Sequence, residues 1–152
     1  MQLDQLDSLS IVPLSYPRRT YFKSGNLMSE SWGRNDLDIH REDGPAINNW
    51  REDGTKSYEI WYLNNSRHRE GGPAHLSWTS TGQLRYELWY FENMLHRKFA
   101  PAKITYLPDY VSDWYCFGEL ITEQVTRWIR ANNYPDWSKW DDQIRTHFAL
   151  TF

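Results

Sequence analysis

Laid against itself at an offset of 28 residues, the 152-residue chain repeats. His40-Arg41, His68-Arg69 and His96-Arg97 recur in phase, and so do Pro45-Ala46, Pro73-Ala74 and Pro101-Ala102. Trp50, Trp78 and Tyr106 keep the same step, as do Gly54 with Gly82 and Glu59-Ile60-Trp61-Tyr62 with Glu87-Leu88-Trp89-Tyr90. A period of this length means one supersecondary unit copied along an axis, each copy burying its apolar face only against its neighbours. Upstream, Tyr21, Gly25, Glu30 and Trp32 supply the opening half of the first copy, one residue out of register. Downstream, Trp114-Tyr115 opens a fourth half-unit that has no His-Arg, as expected of a terminal copy.

Within a unit, Ser57 to Leu63 is short, aromatic and β-branched, and lies between Asp53-Gly54 and Asn64-Asn65, which predicts a strand between two turns. Ala74 to Thr79 supplies a second strand, and Thr81-Gly82 turns the chain into the next copy. Each repeat therefore reads as two antiparallel strands. The segments near Tyr21, Leu27 to Trp32, Ala46 to Trp50, Ala102 to Tyr106, Leu84 to Phe91 and Asp113 to Cys116 bring the count to about eight. The expected fold is mainly β: a single-layer antiparallel meander sheet of 28-residue two-strand repeats. Alternation places Tyr58, Ile60 and Tyr62 on one face and Glu59, Trp61 and Leu63 on the other, so both faces carry rings.

The period changes near the end. Ile121, Val125, Trp128 and Ile129 predict an amphipathic helix with Thr122 as N-cap. Pro135-Asp136 then breaks and recaps the chain, and Trp137, Trp140, Ile144 and Phe148 line a second helix. This divides one structural domain into an N-terminal edge segment (1–20), a β-repeat array (21–121) and a C-terminal cap of two short helices (122–152), with Met1 to Arg19 guarding the opposite edge of the sheet.

The units resemble the MORN-variant repeat, whose Trp-Tyr, Asn-Gly and His-Arg-Glu-Asp-Gly-Pro-Ala pattern is carried here by Glu59-Ile60-Trp61-Tyr62 and His68-Arg69-Glu70-Gly71-Gly72-Pro73-Ala74, with Gly54 and Gly82 before the strands. The resemblance spans Tyr21 to Ile121. It implies an elongated antiparallel sheet serving as a protein-interaction platform, of bacterial, phage or giant-virus origin, with links to membrane lipids and to antitoxins. Three departures stand out. The second copy has Gly71-Gly72, and the third has Lys98-Phe99-Ala100 where the acidic-Gly turn belongs. Asn64-Asn65 and Glu92-Asn93 replace Asn-Gly. The third turn is thus expected to differ in structure or to be a contact point, with Phe99 at its centre.

Composition narrows the function. A net charge of −3, with 11 basic and 12 acidic residues between Tyr21 and Val111, disfavours a polyanion-binding surface. Single-stranded nucleic acid on an aromatic and arginine face stays as a further alternative. A polybasic cluster that would engage lipid is missing from the sequence. Cys116 is the only cysteine and neither a signal peptide nor an apolar run of membrane-spanning length is present, so a cytoplasmic protein is expected, in the host cell if viral.

Catalysis needs one convergent constellation, whereas repetition would spread His40, His68 and His96 at ~10 Å intervals along the sheet. Structural roles are assigned to these histidines, to Pro45, Pro73 and Pro101, and to Arg41, Arg69 and Arg97, which are expected to pair with Glu30, Glu59 and Glu87 or to stack on tryptophans such as Trp61 and Trp89. His147 with Asp141 and Asp142 reads as a solvated helix face. No enzyme, cofactor or metal signature is found. The chain is expected to be a non-enzymatic interaction module that binds a protein partner or itself through Tyr62, Tyr90, Phe91 and Phe99. The alternative is an inhibitor or antitoxin acting through Trp137 and Trp140 on the helical end.

Overall fold

The computed structural model of the protein describes residues 15–152. In chain order the strands are β1 (Tyr16–Tyr21), β2 (Leu27–Gly33), β3 (Ile47–Trp50), β4 (Lys56–Ile60), β5 (Tyr62–Leu63), β6 (Ser66–Arg67) and β7 (His75–Trp78). They continue with β8 (Leu84–Leu88), β9 (Tyr90–Phe91), β10 (Met94–Leu95), β11 (Lys103–Thr105), β12 (Val111–Asp113), β13 (Tyr115–Cys116) and β14 (Glu119–Leu120), before the helices α1 (Thr122–Ala131) and α2 (Asp142–Thr151). Eight strands make one antiparallel meander in the order β1-β2-β3-β4-β7-β8-β11-β12. Residues 1–14 of the expected edge segment lie outside the described residues, among which Tyr16–Tyr21 is the edge strand.

The long turns repeat because their chemistry does. Gly25, Gly54 and Gly82 hold φ of 90°, 84° and 80°, and each donates its N–H back to Phe22, Arg51 or Thr79. Left-handed backbone is where glycine carries no Cβ penalty. A register shift follows at the same place in each arm, at Thr20/Tyr21, Asn49/Trp50 and Ser77/Trp78.

The two-strand reading of the repeat is incomplete. The run from Ser57 to Leu63 is not one strand, because β4 ends at Ile60 and Tyr62-Leu63 pairs instead with Ser66-Arg67. The same break separates β8 from the β9/β10 hairpin. Asn64 and Asn65 sit at φ 50° and 64°, and Glu92 and Asn93 at 47° and 68°. Two successive positive φ values form the tight turn whose twist suits a two-residue hairpin, so the chain folds back on itself rather than extending the sheet. The expected alternation across Glu59, Trp61 and Leu63 therefore stops at the break. The small hairpins β5/β6, β9/β10 and β13/β14 are linked in a row, with Asn65 N–H donating to the Ile39 carbonyl, Asn93 to Arg67 and Gly118 to Leu95.

In the first copy an irregular loop replaces the hairpin, held by an Arg34–Asp38 ion pair. This is where the extra residue between Trp32 and His40 is accommodated. Gly33 is obligatory there, since a Cβ would lie 1.8 Å from the Asp38 carbonyl oxygen.

At the far end, Trp114, Ile121, Val125, Trp140 and Phe148 form a buried aromatic cluster that joins the fourth half-unit to both helices. Two helix starts differ from expectation. Thr122 is not an N-cap: Ile121 holds that position, and the Thr122 hydroxyl accepts the Trp114 N–H at 2.9 Å. The second helix begins at Asp142, not after Pro135, because two aspartates cap in succession. Asp136 caps a short 3₁₀ turn, Trp137–Lys139, and Asp141 then caps α2 through the Ile144 N–H at 2.9 Å.

Candidate interaction surface

The repeated residues form the same set of bonds in every copy. Trp32, Trp61 and Trp89 donate their N–H groups to the carbonyls of Ala46, Ala74 and Ala102, each at 2.7 Å. Their indole Nε1–H groups donate to Glu30, Glu59 and Glu87 at 2.8, 3.4 and 3.0 Å. Over the three indole rings lie the guanidinium groups of Arg41, Arg69 and Arg97, at 4.1, 3.8 and 3.7 Å. Each guanidinium also donates to the carbonyl of Pro45, Pro73 or Pro101, at 3.4, 3.2 and 3.4 Å. Planar arginine suits this stacked, forked geometry where a lysine would not. Stacking is thus common to all three arginines, while only Arg97 pairs with its expected glutamate, Glu87, at 3.6 Å. Arg41 pairs with Asp43.

The histidines join successive copies. Nδ1 of His40, His68 and His96 accepts a backbone N–H from the next hairpin turn, from Asn64, Glu92 and Phe117 at 3.1, 3.4 and 3.3 Å. An accepting Nδ1 requires the ring to be unprotonated there. Burial holds the His96 imidazole below its ordinary pKa.

The fourth half-unit ends this system. Ile121 donates its N–H to the Trp114 carbonyl, the bond that His40, His68 and His96 make to Trp32, Trp61 and Trp89. Without a further Ala carbonyl, the Trp114 N–H takes the Thr122 hydroxyl. Helix α1 thus starts where a fourth His-Arg would stand.

These commitments leave an apolar edge. Along the hairpin row, Leu63, Phe91, Met94, Phe117 and Leu120 are exposed, Phe91 by 40% and Phe117 by 55%. Phe91 lies 5.1 Å from the His68 ring and 6.1 Å from Phe117, and His96 stacks on Phe117 at 4.1 Å and 11°. The row of rings is therefore continuous from the second copy to the fourth.

The candidate residues separate accordingly. Phe91 lies on this edge. Tyr62 and Tyr90 are half-buried, and the Arg67 guanidinium sits 4.2 Å over the Tyr90 ring and donates to its hydroxyl at 3.0 Å. Phe99 turns inward: at φ 65° it occupies the place of Gly71 and meets Phe148 at 6.3 Å. Trp140 is 3% exposed and stacks on Trp114 at 5.4 Å, so it belongs to the core of the cap and not to its surface. Trp137 is half-buried, 5.5 Å from Arg97. The sequence alone missed Phe117. Its signal is the alignment of Trp114-Tyr115-Cys116-Phe117-Gly118 with Trp61-Tyr62-Leu63-Asn64-Asn65, which places Phe117 in a hairpin turn.

Asp141 and Asp142 are exposed, but His147 is half-buried and not part of a solvated face: its Nδ1 meets the Tyr134 hydroxyl at 2.7 Å and its ring packs 5.1 Å from Trp128. Among the described residues no group of three or more His, Cys, Asp or Glu could hold a metal ion, and no helix is long and apolar enough to cross a membrane. Comparison with known proteins finds no matching family model, no matching curated protein and no matching solved structure.

Proposed function

We propose that the chain is a non-enzymatic interaction module of the MORN-variant kind, phage- or virus-encoded and acting in the host cytoplasm, which binds a protein partner or a second copy of itself along its hairpin edge. The observation that carries this is the exposed row Leu63, Phe91, Met94, Phe117 and Leu120, at whose centre the Phe91 and Phe117 rings are in edge contact. Isolated exposed apolar side chains are ordinary, but exposed rings in edge contact, flanked by further exposed apolar side chains, make a typical contact surface. Aromatic residues are the types that anchor interfaces. The reading also fits the arginines and histidines of the repeat, whose bonding groups are engaged within the array.

The test pairs Phe91→Asp/Phe117→Asp with Leu150→Asp, a change at an exposed residue of α2. Sedimentation velocity and quantitative capture from host extract are measured for all three proteins. The expected result is self-association or a stoichiometric partner in wild type and Leu150→Asp that is lost in the double variant. A monomeric wild type that captures nothing, or a double variant that retains the same partner, overturns the proposal.

A further inference from the structure

The niche between successive repeats occurs twice in comparable size, flanked in one place by charges of both signs and walled in the other mainly by rings. Between the first and second copies it has a volume of about 370 Å³ and is lined by Arg41, Glu42, Trp61, Leu63, His68 and Glu70, among others. Between the third copy and the fourth half-unit it has a volume of about 330 Å³, and Lys98, Phe99, Trp114, Phe117, Phe148 and Phe152 are among its walls. Two residues that depart from the repeat's own pattern line this second cavity. Lys98 stands where Glu42 and Glu70 stand in the other copies, and Phe99 where Asp43 and Gly71 do.

Phe99 is held in a left-handed conformation, which a side chain of this size adopts only when its surroundings enforce it. Its ring helps to bridge the turn to Phe148 of the cap. Packing accounts for Phe99 but not for the reversed charge beside it. The Lys98 ammonium lies 5.0 Å from the Phe99 ring and has no acidic partner among the described residues. An apolar, ring-lined cavity at the lower end of the usual ligand-pocket range, with one free cation on its wall, matches an occupant that is aromatic in its body and anionic at one end.

We propose that this cavity binds a small aromatic carboxylate, its ring among Phe99, Trp114 and Phe148 and its carboxylate at Lys98. The cavity shares Phe117 with the hairpin edge, but Lys98, Phe99, Trp114 and Phe148 lie outside that edge, so loss of acid binding in Lys98→Glu and loss of association in Phe91→Asp/Phe117→Asp are distinguishable.

The probes are 3-phenylpropionate and the neutral alcohol of the same carbon chain, 3-phenylpropanol, titrated by calorimetry and by tryptophan emission against the full chain. Lys98→Glu restores the residue type of the other two copies and should fold normally, which circular dichroism verifies. Ala149→Trp enters the cavity wall from the exposed side of α2. The expected result is saturable binding of the acid in preference to the alcohol. Affinity for the acid should fall several-fold in Lys98→Glu, which puts a repulsive charge in place of an exposed attractive one, with little change for the alcohol. Both probes should lose binding in a folded Ala149→Trp. No saturable binding at millimolar acid, equal affinity for acid and alcohol, or an unchanged acid affinity in folded Lys98→Glu would each overturn the assignment.

Discussion

Replacing Thr122 by valine removes one hydroxyl and keeps the branched shape. That hydroxyl is the acceptor for the backbone N–H of Trp114, a residue 5% exposed inside the cap core. In the three preceding units the equivalent N–H reaches the alanine carbonyl in the second half of the same unit. The fourth half-unit lacks that second half and its alanine, so the valine leaves a buried donor with no partner. Such a loss costs about 1–3 kcal/mol. In a chain of this size each kcal/mol lowers Tm by roughly 2–4 °C, which makes the expected drop about 2–12 °C. Thr122→Ser keeps the acceptor and separates the hydrogen bond from packing. Differential scanning calorimetry of the two variants beside wild type makes the comparison. A Tm for Thr122→Val equal to wild type, or a serine variant as unstable as the valine one, refutes the view that Thr122 terminates the array.

Arg69→Ala removes the guanidinium over Trp61 and its bond to the Pro73 carbonyl, and should cost ~1–2 kcal/mol in urea melts, with Arg69→Lys recovering less than half because an ammonium cannot stack as a plane. Burial lowers the pKa of His75 and of His96, so the unfolded chain binds the protons first as pH falls. Stability should therefore be full above the ordinary histidine pKa of about 6.5 and decline below it, and His96→Gln should reduce that slope; a flat profile from pH 7 to about 5 contradicts this. In Phe99→Gly, relief of the left-handed backbone returns ~1–2 kcal/mol, but loss of the half-buried ring costs more, so unfolding midpoints should drop; a stabilised variant would show that strain outweighs packing there.

The array was legible because each repeated residue makes the same bond in every copy: the arginine on its tryptophan, the tryptophan on its glutamate, the histidine on the next turn. Spacing alone carries that information. The small hairpins were not legible, since Ser57 to Leu63 has the composition of one strand and its break is imposed by the left-handed Asn64-Asn65 pair two residues beyond Tyr62. Thr122 satisfied the local pattern of a helix cap but was claimed by a non-local partner, which no window of sequence displays. Trp140 shows the same difficulty for the site. Tryptophan suits a core as well as an interface, and only its placement against Trp114 and Phe148 decides between them. Phe91 was visible as a ring at the end of a strand, whereas Phe117 became a surface residue only once its turn was aligned with the earlier hairpins.

Site-directed photo-crosslinking tests the hairpin-edge account most directly. A benzophenone side chain is placed in turn at Phe91, at Phe117 and at Leu150, the last being an 83% exposed position on α2. Irradiation in cells that contain the protein should yield the same crosslinked species from positions 91 and 117 and none from 150. Crosslinks from position 150 alone would place the contact on the helical end and contradict the hairpin edge as the binding surface.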